Sequence, residues 1–182
     1  RHDTIVVGSS PSGVLSTDGG NSWVNILPTS CVNVLGTNKG WFFTLGAFVQ
    51  RWETNVAWLS CYEAPTQALH PRRLLEAGDR VFMFFANGPD FKMSADGGDS
   101  WQDGSLPIPY NDNEVSVAER NDTLFIQGQN AIAYSVDDAQ SWSVLPTPQL
   151  PQLVRSCLFP ATGSLVALSD FGIFEAEQPA IP

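Results

Sequence analysis

The side chains that offer chemistry in this 182-residue chain are acids and arginines in its longer connections. Two carboxyl groups held about 5–9.5 Å apart can hydrolyse a glycosidic bond, and an arginine can grip a carboxylate through two parallel hydrogen bonds. None of the candidates belongs to a Ser/His/Asp arrangement, so the sequence predicts no catalytic residue. The candidate binding residues are Arg72, Arg73, Asp90, Tyr110, Asp112, Glu114, Arg155 and Asp170.

The sequence has no pattern typical of a metal or a cofactor site. Its two histidines, His2 and His70, stand far apart, and its three cysteines, Cys31, Cys61 and Cys157, form no C-x-x-C or Cys/His cluster. A glycine-rich phosphate loop is also missing. We therefore predict neither a cofactor nor a metal, and the odd number of cysteines leaves at least one free thiol.

The net charge and the hydropathy of the chain limit the classes of molecule that it is expected to bind. The chain has 9 basic and 19 acidic residues and a net charge of −10, which repels nucleic acid and anionic membranes. No apolar run reaches the roughly 18 residues of a membrane span, so we expect no membrane insertion. The first residue is arginine and no signal peptide is visible, which suggests a processed mature chain or an excised segment. We expect protein or carbohydrate partners.

An eight-residue string recurs along the chain and organises the elements that must position these residues. It reads SADGGDSW at residues 94–101, STDGGNSW at 16–23 and SVDDAQSW at 135–142. Its aspartate can accept local backbone hydrogen bonds, its glycine supplies a positive φ, and its tryptophan can cover the turn with an apolar ring. The string thus predicts a self-capped structural turn, whose residues are Ser16, Asp18, Gly20, Trp23, Ser94, Asp96, Gly98, Trp101, Ser135, Asp137 and Trp142.

The spacing of the strings predicts the architecture. With weaker copies at residues 51 and 175, the strings start at residues 16, 51, 94, 135 and 175, about 40 residues apart. Short apolar runs before each string indicate strands, and four-stranded units of this period build β-propellers. We predict one all-β domain over residues 1–182. Its repeats are 1–28, 29–64, 65–107, 108–147 and 148–182, of which the first and last are incomplete.

The pattern S-x-D-x-G-x-x-W resembles the Asp-box, or BNR repeat, of sialidase-like β-propellers. In that family the string lies on the turn between the third and fourth strands of a blade, away from the axial ligand face. The resemblance implies a propeller of about five four-stranded antiparallel blades. These form either a five-bladed ring or a portion of a larger propeller completed by another chain. As part of a larger assembly, the chain should expose an apolar edge at residues 5–7.

The functions of that family differ widely, so the resemblance implies no single activity. We expect a non-catalytic recognition or scaffold domain, extracellular or periplasmic, that binds a protein or a glycan on its axial face. We expect that face to be built by the connections at 60–73, 102–113 and 143–152 and by the short turns at 9–13, 46–47, 86–90, 128–130 and 170–172. The alternative is a secreted glycoside hydrolase, similar to a sialidase or xyloglucanase, whose site is completed outside this segment. Two carboxylates converging in an axial cleft would favour it.

Overall fold

The fold is known from a computed structural model. It describes residues 3–8, 12–27, 29–53, 58–129 and 131–145, together with the backbone of three strands between residues 158 and 177. These residues form five antiparallel sheets, each a meander of strands in chain order, and one short 3₁₀ turn at Gln67–Leu69. The all-β prediction is confirmed.

Sheets 1 and 5 have three strands and sheets 2, 3 and 4 have four. The strands are β1 (Ile5–Gly8), β2 (Gly13–Ser16) and β3 (Val24–Leu27) in sheet 1; β4 (Asn33–Gly36), β5 (Trp41–Leu45), β6 (Phe48–Trp52) and β7 (Leu59–Glu63) in sheet 2; β8 (Arg73–Ala77), β9 (Arg80–Phe84), β10 (Asn87–Ser94) and β11 (Gln102–Asn111) in sheet 3; β12 (Ser116–Arg120), β13 (Thr123–Gln127), β14 (Ile132–Ser135) and β15 (Ser143–Val144) in sheet 4; and β16 (Leu158–Ala161), β17 (Ser164–Ser169) and β18 (Gly172–Glu177) in sheet 5.

Successive sheets stack face to face along the chain. Their first strands contact one another in order: β1 meets β4, β4 meets β8, β8 meets β12, and β12 meets β16. The eight-residue strings join β2 to β3, β10 to β11 and β14 to β15, so each lies on the turn before the last strand of its sheet. The first strands therefore lie on one side of the stack and these turns on the other.

The apolar strands are buried on both faces because a neighbouring sheet covers each face. In β5, Phe42 packs in the cluster between sheets 2 and 3, whereas Phe43 packs between sheets 1 and 2. In β9, Met83 faces sheet 2 and Phe82 faces sheet 4. Side chains alternate along a strand, so two facing cores require a continuous apolar run.

Several residues that the sequence assigns to turns and connections are in strands. The predicted turn at 86–90 belongs to β10, which begins at Asn87 and shifts register between Gly88 and Asp90. The predicted connections at 60–73 and 102–113 begin with the last residues of β7 and with β11. The turn assignment was wrong because Pro89 and its glycine neighbour mark a β-bulge, where a missing N–H is tolerated, and not a loop. Residues 64–72 of the predicted connection at 60–73 do lie between strands.

Sheet 1 presents apolar side chains to solvent on the side that no earlier sheet covers. Ile5 is 40% exposed, Val7 is 42% exposed and Val24 is 64% exposed. The apolar edge expected at residues 5–7 for a chain in a larger assembly is therefore present in the structure.

Candidate functional site

Each of the three strings closes through hydrogen bonds between its own residues. In the turn after β10, the Ser94 hydroxyl donates to Asp96 Oδ1 at 2.8 Å and accepts from the Gly98 N–H at 2.7 Å. The Ser100 hydroxyl donates to Asp96 Oδ2 at 2.6 Å, and its N–H donates to Oδ1 at 2.9 Å. The turns at residues 16–22 and 135–141 repeat these bonds. The carboxylate of each aspartate is therefore occupied by donors of its own turn.

The same bonds lower the pKa of each aspartate. Donation from the Ser22 hydroxyl and N–H lowers the pKa of Asp18 to about 2. Donation from the serine four residues on likewise lowers the pKa of Asp137 to about 2 and holds that of Asp96 well below its usual range. Each carboxyl therefore remains charged and accepting well below neutral pH.

The tryptophans of the strings contact the preceding sheet. Trp101 Nε1–H donates to the Cys61 carbonyl of β7 at 2.9 Å, and the Trp142 ring meets Phe91 of sheet 3 edge-on at 5.9 Å. The sequence-based expectation that the ring covers its own turn did not include this contact with the preceding sheet. Trp23 is 44% exposed and donates to a carbonyl of its own turn.

A buried arginine reinforces the junction between sheets 2 and 3. Arg51 of β6 is 5% exposed and donates to the Gly97 carbonyl of the turn after β10. It also forms ion pairs with Asp99 at 2.8 Å and Glu53 at 2.9 Å. Because Arg51 already has acceptors on both sides of the junction, it is a structural residue.

Two of the predicted binding residues, Tyr110 and Arg73, have structural roles. Tyr110 is 1% exposed; its hydroxyl donates to the Asp90 carbonyl and accepts from the Phe85 N–H at 3.2 Å. Burial raises the pKa of Tyr110 to about 12, so the phenol is neutral. It is therefore a buried brace for β10 and cannot contact a ligand directly.

Among the arginine and acid candidates near β8, some make structural contacts and others are exposed to solvent. Arg73 Nη1 donates to the carbonyls of Asp112 at 3.2 Å and Asn113 at 3.1 Å, which ties β8 to the turn before β12. Arg72 is exposed, and Glu114 lies on the same turn as Asp112. Arg155 and Asp170 lie outside the described residues.

A cleft between sheets 2 and 3 is the candidate site. It has a volume of about 770 Å³ and lies between β7, the 3₁₀ turn, and the facing parts of β10 and β11. Its floor is apolar: Leu69 and the rings of Tyr62 and Phe85, whose centroids are 6.4 Å apart, line it with Phe91. Gly104 of β11 also lines it, and a side chain there would strike the Phe91 ring at 2.3 Å. Glycine at this position leaves room for the Phe91 ring, which packs against Trp142 of sheet 4.

The rim of the cleft is acidic. Glu63, Asp90 and Asp103 line it together with Lys92. Lys92 forms an ion pair with Asp103, and its ammonium lies 5.9 Å from the centre of the Tyr62 ring. Glu63 and Asp90 are exposed and form no ion pair within the described part of the chain. The rim thus carries more negative than positive charge.

Neither a metal cluster nor a membrane-spanning helix occurs within the described ranges. No three His, Cys, Asp or Glu side chains come together there in a way that could hold an ion. No helix there is long and apolar enough to cross a bilayer.

Comparison with known proteins identifies the fold. No family model and no curated protein matches the chain. Solved structures match with TM-scores above 0.5. YCF48 bound to D1 peptide aligns with 95% of this chain and 60% of its own, at 17% identity and a TM-score of 0.58. The extracellular domain of the putative one component system BT4673 from B. thetaiotaomicron aligns with 99% and 27%, at 12% identity and 0.72. Streptogramin B lyase aligns with 97% and 69%, at 12% identity and 0.58.

The chain folds as a β-propeller. It spans 60% of the length of the first of these structures and about a quarter of the second. At these identities the likeness establishes the propeller fold only. Membership of the Asp-box family remains a prediction.

In the propeller, one predicted binding residue, Asp90, lines the cleft. The sequence analysis placed Tyr62, Glu63 and Asp103 in connections but could not predict that they line one site. They come together only because sheets 2 and 3 stack. Phe85 was counted as part of a buried strand. The sequence feature that could have indicated this site is the tyrosine–glutamate pair at residues 62–63. The pair stands at the end of an apolar strand, next to a proline-containing connection.

Proposed function

We propose that the protein is a non-catalytic recognition or scaffold propeller that binds a segment of another protein in the cleft between sheets 2 and 3. The observation that carries the proposal is the cleft itself, with an aromatic floor, an acidic rim and a volume of about 770 Å³. Protein-binding surfaces combine large aromatic contacts at their centre with a polar rim. Its volume is within the range of pockets that enclose a ligand of several side chains' size.

The comparisons are compatible with this proposal. One matched propeller is described as bound to a peptide, which supports a protein partner for this chain. Another is described as an extracellular domain, which supports the proposed extracellular or periplasmic location. A carbohydrate partner remains an alternative for the same cleft, because aromatic faces also bind sugars.

The hydrolase alternative is supported less well. Asp112 and Glu114 do not line the cleft that Asp90 lines, so these three residues do not form a pair of carboxylates there. Asp103 does line the cleft, but its carboxylate is paired with Lys92. Glu63 and Asp90 both line the cleft without an ionic partner in the described residues, but its aromatic floor leads us to favour binding over glycoside hydrolysis.

The test of the proposal is to fill the cleft. Twelve-residue peptides would be selected from a phage-displayed random library on the protein, and their dissociation constants measured by fluorescence anisotropy. Ser105, an exposed residue of β11, lines the cleft, and Ser143, an exposed residue of β15, does not. Ser105→Trp should weaken the selected peptides by at least about tenfold, since the indole occupies the site. Ser143→Trp should leave their affinity unchanged.

Two results would contradict the proposal. One is a selection that enriches no peptide. The other is a set of peptides that bind Ser105→Trp as tightly as the parent protein. A glycan array, screened with the same three proteins, would show whether sugars and not peptides respond to the filled cleft.

A further inference from the structure

We infer that the cleft selects a positively charged side chain, an arginine or lysine of the bound polypeptide segment. This inference rests on the proposed function and specifies its ligand. It follows from the charges on the rim, from the position of Lys92 and from the apolar floor.

The carboxylates on the rim outnumber the cationic side chains that could pair with them. Lys92 lies against Asp103, with 18% of the lysine side chain and 85% of the aspartate side chain exposed. Glu63 and Asp90 keep their charges without a cationic partner in the described residues. An acidic ligand would be repelled by two free carboxylates, whereas a basic one would meet both.

Lys92 shows that this wall of the cleft stabilises a cation. Its ammonium lies over the Tyr62 ring at 5.9 Å and pairs with a carboxylate, the combination that favours a cation at an aromatic face. Burial, with Asp103 nearby, raises the pKa of Tyr62, which keeps the ring neutral. Glu63 of the same strand also lines the cleft and has no ionic partner within the described residues.

The floor suits the stem of a long basic side chain. Leu69, Phe85 and the Tyr62 ring line the cleft below the acids. Lysine and arginine bury their methylene stems on such surfaces while their charged heads remain at the rim. Arginine fits best, because its planar guanidinium can stack on a ring and also hydrogen-bond to a carboxylate.

The experiment compares arginine with citrulline, which has the same shape without the charge. Peptides selected on the parent protein should contain a basic residue at a fixed position. Replacing that residue by citrulline should weaken binding by about tenfold, the effect of losing a hydrogen-bonded charge. In the double variant Glu63→Gln/Asp90→Asn, the preference for arginine over citrulline should fall towards one.

A matched control removes the same charge elsewhere. The double variant Glu76→Gln/Asp79→Asn changes two exposed acids that do not line the cleft, and it should keep the full preference for arginine. Equal loss in both double variants would mean that only the net charge of −10 attracts the peptide, and would overturn the inference.

The outcomes separate this inference from the proposed function. Peptides that lack a basic residue, or that bind equally well with citrulline, would overturn the inference. If Ser105→Trp still abolished their binding, the proposed function would stand. Peptides unaffected by Ser105→Trp would overturn both.

Discussion

At the scale of single residues, the aspartates of the three strings show how a charged group can be fixed by its nearest neighbours. Asp96 accepts from two serines and from the chain amides that follow it, all within the turn. Because donors and acceptor lie so close in sequence, the turn needs no other part of the molecule to close. Its contribution should therefore appear in the stability of the protein and not in ligand binding.

Replacing Asp96 with alanine tests this role. Asp96→Ala leaves the Ser100 N–H and hydroxyl without their acceptor, and we expect a loss of about 1–2 kcal/mol in the free energy of unfolding, as for other local caps. Urea denaturation measures the loss. Asp79→Ala, in an exposed turn, is the control and should change little. Equal stabilities of the two variants would contradict the capping account.

Acid should weaken the turns over a defined interval of pH. The pKa of Asp137 is about 2 in the folded protein and about 4 in an unfolded chain, so the folded state binds the proton less tightly. The stabilisation by this group is therefore complete above about pH 4 and is lost as the pH falls towards 2. In Asp137→Asn, urea unfolding between pH 5 and 2 should show a shallower loss than in the parent protein. Parallel curves would exclude a role for this carboxylate.

At the scale of elements, the junctions between sheets determine the structure. The last turn of one sheet contacts the outer strands of the sheet before it, through the Trp101 hydrogen bond to Cys61 and through Arg51. The cleft lies at the same junction. The residues that stabilise the stack and those that line the candidate site therefore share one pair of sheets.

A comparison of Trp101 with Trp23 measures how much the contact with a neighbouring sheet contributes to the free energy of unfolding. Trp101 packs on sheet 2, whereas Trp23 is 44% exposed and contacts no earlier sheet. Trp101→Ala should cost about 3 kcal/mol, near the lower limit for buried tryptophan because the ring is partly exposed. Trp23→Ala should cost less than about 1 kcal/mol. Thermal and urea unfolding of both variants give the comparison, and similar losses would show that the ring acts within its own turn.

Sequence reasoning succeeded where the information was local. The strings, the apolar strands and their period were enough to predict an all-β propeller. It assigned Asp90 to a turn although Asp90 lies in β10, because a glycine and a proline at residues 88–89 are typical of a turn and also of a β-bulge. It could not assemble the cleft, since Tyr62 and Lys92 meet only when two sheets stack.

At the scale of the whole molecule, the sheets form a series in which each contacts its neighbours in the chain. Sheet 3 is covered on both faces, and every residue of β9 after Arg80 is buried. Sheet 1 is covered on one face, and Ile5 and Val7 of β1 are exposed. In stacked architectures, each unit is stabilised by its contacts with the neighbouring units. A unit with a neighbour on one side only is therefore less stable against local unfolding.

Amide hydrogen exchange should reveal this difference under native conditions. Hydrogen-bonded amides of β9 should exchange at least about a hundredfold more slowly than those of β2, because opening β9 exposes two apolar junctions. NMR or mass spectrometry of peptides from residues 13–16 and 80–84 would measure it. Uniform exchange across the five sheets would indicate that the molecule opens as a single unit.

The hydrogen bond from Trp101 has a consequence for how such a chain can diverge. Its acceptor is a main-chain carbonyl, which every residue at position 61 would supply. The hydrogen bond therefore does not depend on which side chain stands at position 61, whereas the Cys61 side chain itself packs against the cluster between sheets 2 and 3. In the next string, the buried Trp142 Nε1–H has no hydrogen-bond partner within the described residues, and its ring packs edge-on against Phe91. Neighbouring sheets can therefore diverge so that the stacked ring is kept and the hydrogen bond is lost.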